Sequence, residues 1–110
     1  MNVHIYKGDV GKSAIMSQMM NFMEVIGIVL YSEDRPYPNN IDGTFMASRE
    51  YVTPEDLATE FLPMLLRDGA NWGQTVIIYT NHTEKENAKY IKALKEVPEL
   101  GTVIVMCKEN

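Results

Sequence analysis

The chain has a single cysteine, Cys107, so it cannot form a disulfide within itself. A lone thiol favours a reducing compartment, and the sequence therefore predicts a cytoplasmic protein. The chain also lacks any unbroken apolar run of the roughly 18–20 residues that a membrane-spanning helix needs. Its first residues lack the basic and apolar segments of a secretion signal. These absences argue against a membrane protein and against a secreted one.

Basic residues are few: 10 Lys and Arg stand against 15 Asp and Glu, which gives a net charge of -5. This surplus of acids makes binding to a nucleic-acid backbone an unfavoured function. The acids are scattered along the chain rather than collected in blocks, which is typical of a charge that serves solubility. The less favoured alternative is an acidic surface that mimics nucleic acid and occupies the basic groove of another protein.

The composition, with 45% hydrophobic and 23% charged residues, is ordinary for a globular protein. The length predicts one domain spanning residues 1–110. Short apolar, β-branched runs predict four strands, at 2–6, 28–31, 75–82 and 102–108. Segments between them carry apolar residues at helical spacing. The order predicts an α/β domain of three layers with about four mainly parallel strands in the order βαβαβαβ.

The helix boundaries are predicted from local signals. Apolar residues at three- and four-residue spacing predict a first helix that follows the opening loop and is capped by Gly27. Thr53 and Pro54 predict the start of a second helix, which Pro63 should kink or divide. Thr83 followed by Glu86 is a capping-box pattern that opens a third. The irregular stretch 35–52 is expected to be a loop in which GTFMAS forms half of a small hairpin.

In a parallel sheet, ligands bind beyond the carboxyl ends of the strands. Polar residues follow each predicted strand and are expected to gather along that edge. They are Tyr6 to Ser13, Ser32 to Arg35, Thr80 to Thr83, and Cys107 to Glu109. The first of these groups contains the stretch KGDVGKS, at residues 7–13.

A strand, a glycine-containing turn and a helix start together form an anion site, because main-chain N–H groups and the helix dipole both favour negative charge. Gly8 and Gly11 would let the backbone approach a phosphate closely, and Lys12 would add a full positive charge. The sequence therefore predicts that a phosphate binds to the loop residues Gly8, Asp9, Val10, Gly11, Lys12 and Ser13. The alternative is a plain connection between strand and helix, with Lys12 and Ser13 solvated.

GDVGKSA resembles the Walker A loop of the P-loop NTPases, and KGDVGKS resembles the KGGVGKS variant of the partitioning and cell-division-site ATPases. The resemblance implies ATP or GTP as ligand, Lys12 as the phosphate lysine and Ser13 as a ligand of Mg²⁺. It implies that Lys7 reaches across a homodimer to the partner's nucleotide. The stretch SEDRP is similar to the D-x-D-P segment of that family, which implies Asp34 as a further metal-side residue. The chain differs from the pattern in having Tyr6 and Asp9 where the family has glycine.

Two other functions remain open. The first is a non-enzymatic regulatory or inhibitory module that binds a protein partner, of the kind carried by mobile elements. The second is a small Rossmann-like enzyme that uses the strand edge near His82. In that enzyme His82 would act as a general base within reach of Glu84 or Asp34.

The remaining candidate residues each have a structural interpretation beside the functional one. Glu33 and Asp34 could hold Mg²⁺ or act as an acid–base pair, but adjacent carboxylates after a strand are also common solvated turn residues. Cys107 is interpreted as a half-buried strand residue rather than a nucleophile. A methionine row on the first helix indicates a core face or an adaptable partner surface, and comprises Met16, Met19, Met20 and Met23.

Overall fold

The computed structural model describes residues 1–8, 11–22, 25–35, 41–68, 75–98 and 101–109. These residues form one sheet of five strands, β1 (Asn2–Lys7), β2 (Val25–Tyr31), β3 (Thr44–Ser48), β4 (Thr75–Thr83) and β5 (Thr102–Lys108). The helices are α1 (Lys12–Phe22), α2 (Pro54–Asp56), a π-helical segment (Leu57–Phe61), α3 (Leu62–Asp68) and α4 (Ala88–Lys95). The predicted α/β fold is confirmed, with five strands where about four were expected.

The strands lie in the order β1-β5-β4-β2-β3, and every neighbouring pair is parallel. The two strands with the most continuous apolar runs, β2 and β4, lie side by side inside the sheet, where both of their faces are covered. β1 lies at one edge and alternates between exposed and partly buried residues. The apolar pattern of each strand therefore follows its distance from the sheet edge.

β3 corrects the prediction of a hairpin in the stretch 35–52. It pairs parallel with β2, in a register that runs from Gly27 opposite Thr44 to Tyr31 opposite Ser48. A tight turn joins only antiparallel strands, so these residues cannot form the predicted hairpin. Residues 36–40 of the same stretch lie outside the described residues. β3 is the fifth strand that the sequence pattern missed.

The predicted end of the first helix is also wrong. α1 ends at Phe22, and Gly27 lies inside β2 rather than capping the helix. A Cβ atom at Gly27 would lie 2.9 Å from both Met16 Cε and Thr44 Cγ2, so the glycine permits the close approach of α1 and β3 to β2. Met23, the last residue of the methionine row, lies outside the described residues.

The predicted start of the second helix is confirmed, whereas the third helix, α4, begins at Ala88, four residues later than the Thr83 capping box predicts, because residues 84–87 form a turn. Thr53 Oγ1 accepts a hydrogen bond of 3.1 Å from Asp56 N at the start of α2. The capping box is complete, because Glu86 N donates to Thr83 Oγ1 at 3.2 Å and Thr83 N donates to Glu86 Oε1 at 3.1 Å. The helical stretch is divided near Pro63, where the π-helical segment gives way to α3.

Two clusters of buried side chains cover the two faces of the sheet. One face packs against α1 through Met16, Val29, Ile77, Tyr79 and Met106. The opposite face packs against the later helices through a larger set that includes Ile28, Leu30, Leu57, Leu62, Ile78, Tyr90, Leu94 and Val105. The three predicted layers follow from this arrangement. None of the described helices is long and apolar enough to cross a membrane.

Candidate functional site

The strand order changes direction between β2 and β4. From its carboxyl end β2 continues to β3 on one side, whereas β4 continues to β5 on the other. Adjacent strands whose connections leave in opposite directions define the switch point at which open α/β sheets bind ligands. We use the name switch-point cluster for the polar residues that meet there, namely Ser32, Asp34, Arg35, His82 and Glu86.

A serine, a histidine and a carboxylate line up in this cluster. Ser32 Oγ lies 2.9 Å from His82 Nε2, and His82 Nδ1 lies 3.5 Å from Glu86 Oε2. Ser32 and His82 are each only 8% exposed. The sheet register explains the pairing, because Leu30 lies opposite Thr80 and the side chains two residues further along point to the same face.

The sequence-based expectation for His82 named the wrong glutamate. Glu84 forms a salt bridge of 3.0 Å with Lys7. The carboxylate beside His82 is that of Glu86, four residues after the histidine. Asp34, the second predicted neighbour, accepts a hydrogen bond from the Ser32 hydroxyl and so reaches the histidine through the serine. Glu33 is exposed, and its main-chain N–H donates to Glu50 Oε1 at 3.2 Å.

Arg35 closes the cluster on its outer side. Its guanidinium donates two hydrogen bonds to the Glu86 carboxylate, at 2.9 and 2.8 Å, and a third to Asn81 O at 3.2 Å. The main-chain N–H of Thr83, with the Arg35 guanidinium, lowers the pKa of Glu86 to about 2. Glu86 therefore carries a full negative charge beside His82 across the whole physiological range.

Burial also shifts the pKa of His82. Removal of water lowers the pKa of His82, and the positive charges of Arg49 and Arg35 lower it further. The carboxylate of Glu86 acts in the opposite direction but does not reverse the shift. The imidazole is therefore neutral at pH 7, with one nitrogen able to accept a proton.

We expect acid to destabilise the fold in two steps. The folded-state pKa of His82 lies below its unfolded value of 6.5. The contribution of His82 to the free energy of unfolding is therefore complete above pH 6.5 and is lost as the pH drops below it. The folded-state pKa of Glu86 is about 2 against 4.5, so a second loss occurs between pH 4.5 and 2. Because the Glu86 side chain is 37% exposed, its share is about 1 kcal/mol or less.

Urea unfolding at pH 7.5, 5.5 and 3.5 measures both steps. His82→Gln should remove the change between pH 7.5 and 5.5, and Glu86→Gln should reduce the change below pH 4.5. A wild-type free energy of unfolding that stays constant from pH 7.5 to 5.5 would contradict the shift of the His82 pKa.

A second Ser-x-acid pair ends the neighbouring strand β3. Ser48, also 8% exposed, donates a hydrogen bond of 2.5 Å to Glu50 Oε2, just as Ser32 donates to Asp34. The two pairs differ in their contact with His82. Ser32 contacts the imidazole, whereas Ser48 does not, because β2 separates β3 from β4, the strand that carries His82. The two serines therefore form a matched pair in which one contacts an imidazole.

The predicted phosphate loop lies at the same edge of the sheet. Gly8 N donates to Cys107 O at 3.2 Å, which holds the end of β1 against β5. Gly11 has a φ of 79°, a left-handed conformation that favours glycine, and its carbonyl accepts the first helical hydrogen bond from Ile15 N at 2.9 Å. Asp9 and Val10, the other predicted phosphate-binding residues, lie outside the described residues.

Lys12 points towards the sheet. The residue is 3% exposed, and its Nζ donates to Thr80 O at 2.9 Å and lies 4.8 Å from the centroid of the Tyr79 ring. This lysine thus fastens the first turn of α1 to the carboxyl end of β4. Ser13 is partly buried in the same turn, while Lys7 is paired with Glu84 on the surface.

The other predicted features have clear positions. Cys107 is buried at the end of β5, where removal of water raises the pKa of its thiol, in keeping with a structural residue. On the methionine row, Met16 is fully buried, and Met19 and Met20 are partly buried, so these three belong to the core. Large apolar side chains are exposed instead on β3, where Phe45 and Met46 are 49% and 46% exposed. A protein-binding role stays a prediction.

No family model matches the chain, and no curated protein or solved structure matches it at a significant level. Inference about function therefore depends on the geometry alone. The sequence pattern predicts that Ser32 lies at the sheet edge but indicates no role for it. The available signal was its position two residues after the apolar run of β2, although its pairing with His82 depends on β2 and β4 being neighbours.

Proposed function

We propose that the protein binds a phosphate-bearing ligand, such as a nucleotide, at the first turn of α1, with the loop residues Gly8 to Ser13 around it. The observation that carries this proposal is the contact between Lys12 Nζ and Thr80 O. It fixes the N-terminus of α1 at the carboxyl end of β4, beside the switch point between β4 and β2. Ligands of open α/β sheets bind at this position.

The first turn of α1 has the features that an anion requires. The first main-chain N–H groups of a helix have no acceptor within it, and its dipole places partial positive charge there. Apart from its chain neighbours and the backbone of its own helix, no described residue has an atom within 4 Å of a Cβ built on Gly11, which leaves open space on that side of the helix start. A phosphate can therefore approach this turn of the backbone closely.

Lys12 adds a full positive charge to the same turn. The charge lies beneath the helix terminus in a buried position, where it is screened less by salt than an exposed lysine would be. Release of Nζ from Thr80 O would let the side chain follow the phosphate. We therefore expect binding to depend on the ammonium group rather than on the aliphatic stem.

A resident metal ion does not belong to this proposal. Within the described ranges, no three His, Cys, Asp or Glu side chains come together in a way that could hold a metal ion. The carboxylate of Asp34, one of the two residues implied as magnesium ligands, already accepts the hydrogen bond of Ser32. Mg²⁺ enters only as the companion of nucleotide phosphates, and the Ser13 hydroxyl would be its protein ligand.

Thermal unfolding in the presence of Mg-ATP, Mg-GTP or inorganic phosphate tests the proposal. A ligand at one hundred times its dissociation constant should stabilise the wild-type protein by about 2.7 kcal/mol. Lys12→Met should abolish this gain, because it keeps the stem but removes the charge. The variant loses the hydrogen bond to Thr80 O, at a cost of about 1–3 kcal/mol, so each protein is compared with its own ligand-free state.

Lys89→Met is the matched control, because Lys89 is exposed on α4. It should bind the ligand as the wild type does. A wild-type protein that shows no shift with any of the three ligands at millimolar concentration would contradict the proposal. Equal ligand-induced stabilisation of the wild type and of Lys12→Met would show that the ligand binds elsewhere than at the α1 loop.

A further inference from the structure

We propose that Ser32 is a nucleophile activated by His82, and that the switch-point cluster hydrolyses a carboxylic ester. The proposal is independent of phosphate binding by the α1 loop. The two candidate sites use different side chains, and α1 packs on the sheet face opposite to α4, the helix that follows Glu86. Each proposal has its own variants and its own readout, so one can be rejected while the other stands.

The geometry is that of a nucleophile, a base and a group that orients the base. Ser32 Oγ lies 2.9 Å from His82 Nε2, within hydrogen-bond reach for proton transfer. The second ring nitrogen, Nδ1, faces the Glu86 carboxylate at 3.5 Å. Such a chain is recognised by its mutual geometry rather than by the order of its residues in sequence.

The surroundings of Ser32 favour a neutral substrate. Its hydroxyl contacts the Asp34 carboxylate, and the Glu86 carboxylate lies on the far side of His82. The nearby guanidinium of Arg35 is occupied by Glu86. A phosphate monoester would bring two further negative charges to this set, whereas a carboxylic ester brings none.

The reaction proceeds in two balanced steps. Ser32 Oγ attacks the carbonyl carbon of the ester while its proton passes to His82 Nε2. The tetrahedral intermediate then breaks its bond to the alcohol oxygen, and the alcohol leaves with that proton. A water molecule attacks the resulting acyl-serine, gives one proton to His82, and releases the carboxylic acid as the proton returns to Ser32 Oγ.

Two carboxylates have opposite effects on this step. Glu86 is a positioning residue, because its carboxylate accepts the Nδ1 proton and offsets the charge of the imidazolium. Asp34 competes with His82 for the single hydrogen of the Ser32 hydroxyl. We therefore expect Asp34→Ala to raise the reactivity of Ser32 and Glu86→Gln to lower it.

Covalent labelling tests the nucleophile directly. Diisopropyl fluorophosphate, a small phosphorylating reagent, should bond to Ser32 Oγ with loss of fluoride, and peptide mass spectrometry should locate the adduct on Ser32. Hydrolysis of p-nitrophenyl acetate should be at least tenfold above the rate with Ser32→Ala or His82→Gln. The labelled residue is read from the wild-type protein, so the result does not depend on whether a variant folds.

Ser48→Ala is the control, because Ser48 has the same exposure and the same carboxylate pairing but does not contact His82. It should retain wild-type labelling and hydrolysis. For Glu86→Gln, the readout is the pH profile of labelling, in which the acid limb should move to lower pH. The charged groups that face His82 are Glu86, Arg35, Arg49 and, through Ser32, Asp34, so these variants are measured at one ionic strength.

Several outcomes would overturn the proposal. The first is an adduct absent from Ser32, or present equally on Ser32 and Ser48. Loss of labelling in Asp34→Ala would show that Asp34, not His82, takes the proton. Hydrolysis of p-nitrophenyl phosphate but not of p-nitrophenyl acetate would reject carboxylic esters as the substrate class.

Discussion

Replacing Ile78 with alanine should lower the free energy of unfolding by about 3 kcal/mol. Ile78 is 1% exposed on the central strand β4, between Ile28 of β2 and Val105 of β5. The change removes buried methyl and methylene groups and leaves a cavity that well-packed neighbours on three strands fill only in part. Chemical denaturation monitored by circular dichroism measures the effect.

Ile104→Ala is the control, because Ile104 lies on the neighbouring strand β5 and is only partly buried. Its loss should cost about half as much or less, since part of its side chain already contacts water. The comparison also tests the strand order. Equal costs for Ile78 and Ile104 would contradict a sheet in which β4 is the most enclosed strand.

The elements predicted well are those whose signals are local. The apolar run Thr75–His82 became β4, because a continuous β-branched segment needs burial on both faces. The predicted hydrogen bonds of Thr53 and Thr83 formed, since each depends on atoms only three residues away, although at Thr83 they close a turn and α4 begins only at Ala88. No information from distant parts of the chain was needed for these features.

The elements predicted poorly are those that tertiary contacts decide. Gly27 fits a helix cap equally well by local rules, and only the approach of Met16 and Thr44 explains its position in β2. The segment at 44–48 has few apolar residues of strand type, and it becomes β3 because the outer edge of β2 offers it a parallel partner. A single sequence does not reveal which edge is available.

The candidate site shows the same division. The residues at the strand ends were predicted to gather at one edge because parallel strands share that edge, and Ser32, Asp34 and His82 do meet there. The contact between Ser32 and His82 depends on the strand order, whereas the glutamate beside His82 depends on the turn after β4, which brings Glu86 rather than Glu84 to the imidazole. Likewise, the motif predicts that Lys12 lies at a helix start but not that its ammonium binds Thr80 O.

Asn87→Leu should lower the free energy of unfolding by about 3 kcal/mol, although it exchanges a polar side chain for an apolar one of similar size. Asn87 is fully buried, and its Nδ2 donates to His82 O at 3.1 Å and to Thr83 O at 2.9 Å. Its Oδ1 accepts a hydrogen bond from the Arg49 guanidinium. Leucine would leave two carbonyl groups and a half-buried positive charge without this partner, and buried groups that lose a partner cost about 1–3 kcal/mol each.

Asn87→Asp separates the two halves of this network. Aspartate keeps an acceptor for Arg49 but places a carboxylate oxygen against the carbonyls of His82 and Thr83, so we expect a loss comparable with that of leucine. Asn2→Leu is the control at an exposed position of β1 and should change stability by less than about 0.5 kcal/mol. Because Asn87 holds the main chain of His82, its replacement should also slow the labelling of Ser32 at temperatures where the variant is folded. Unchanged stability in Asn87→Leu would show that Asn87 does not fasten the end of β4 to the start of α4, and the proposed base would then lack a rigid support.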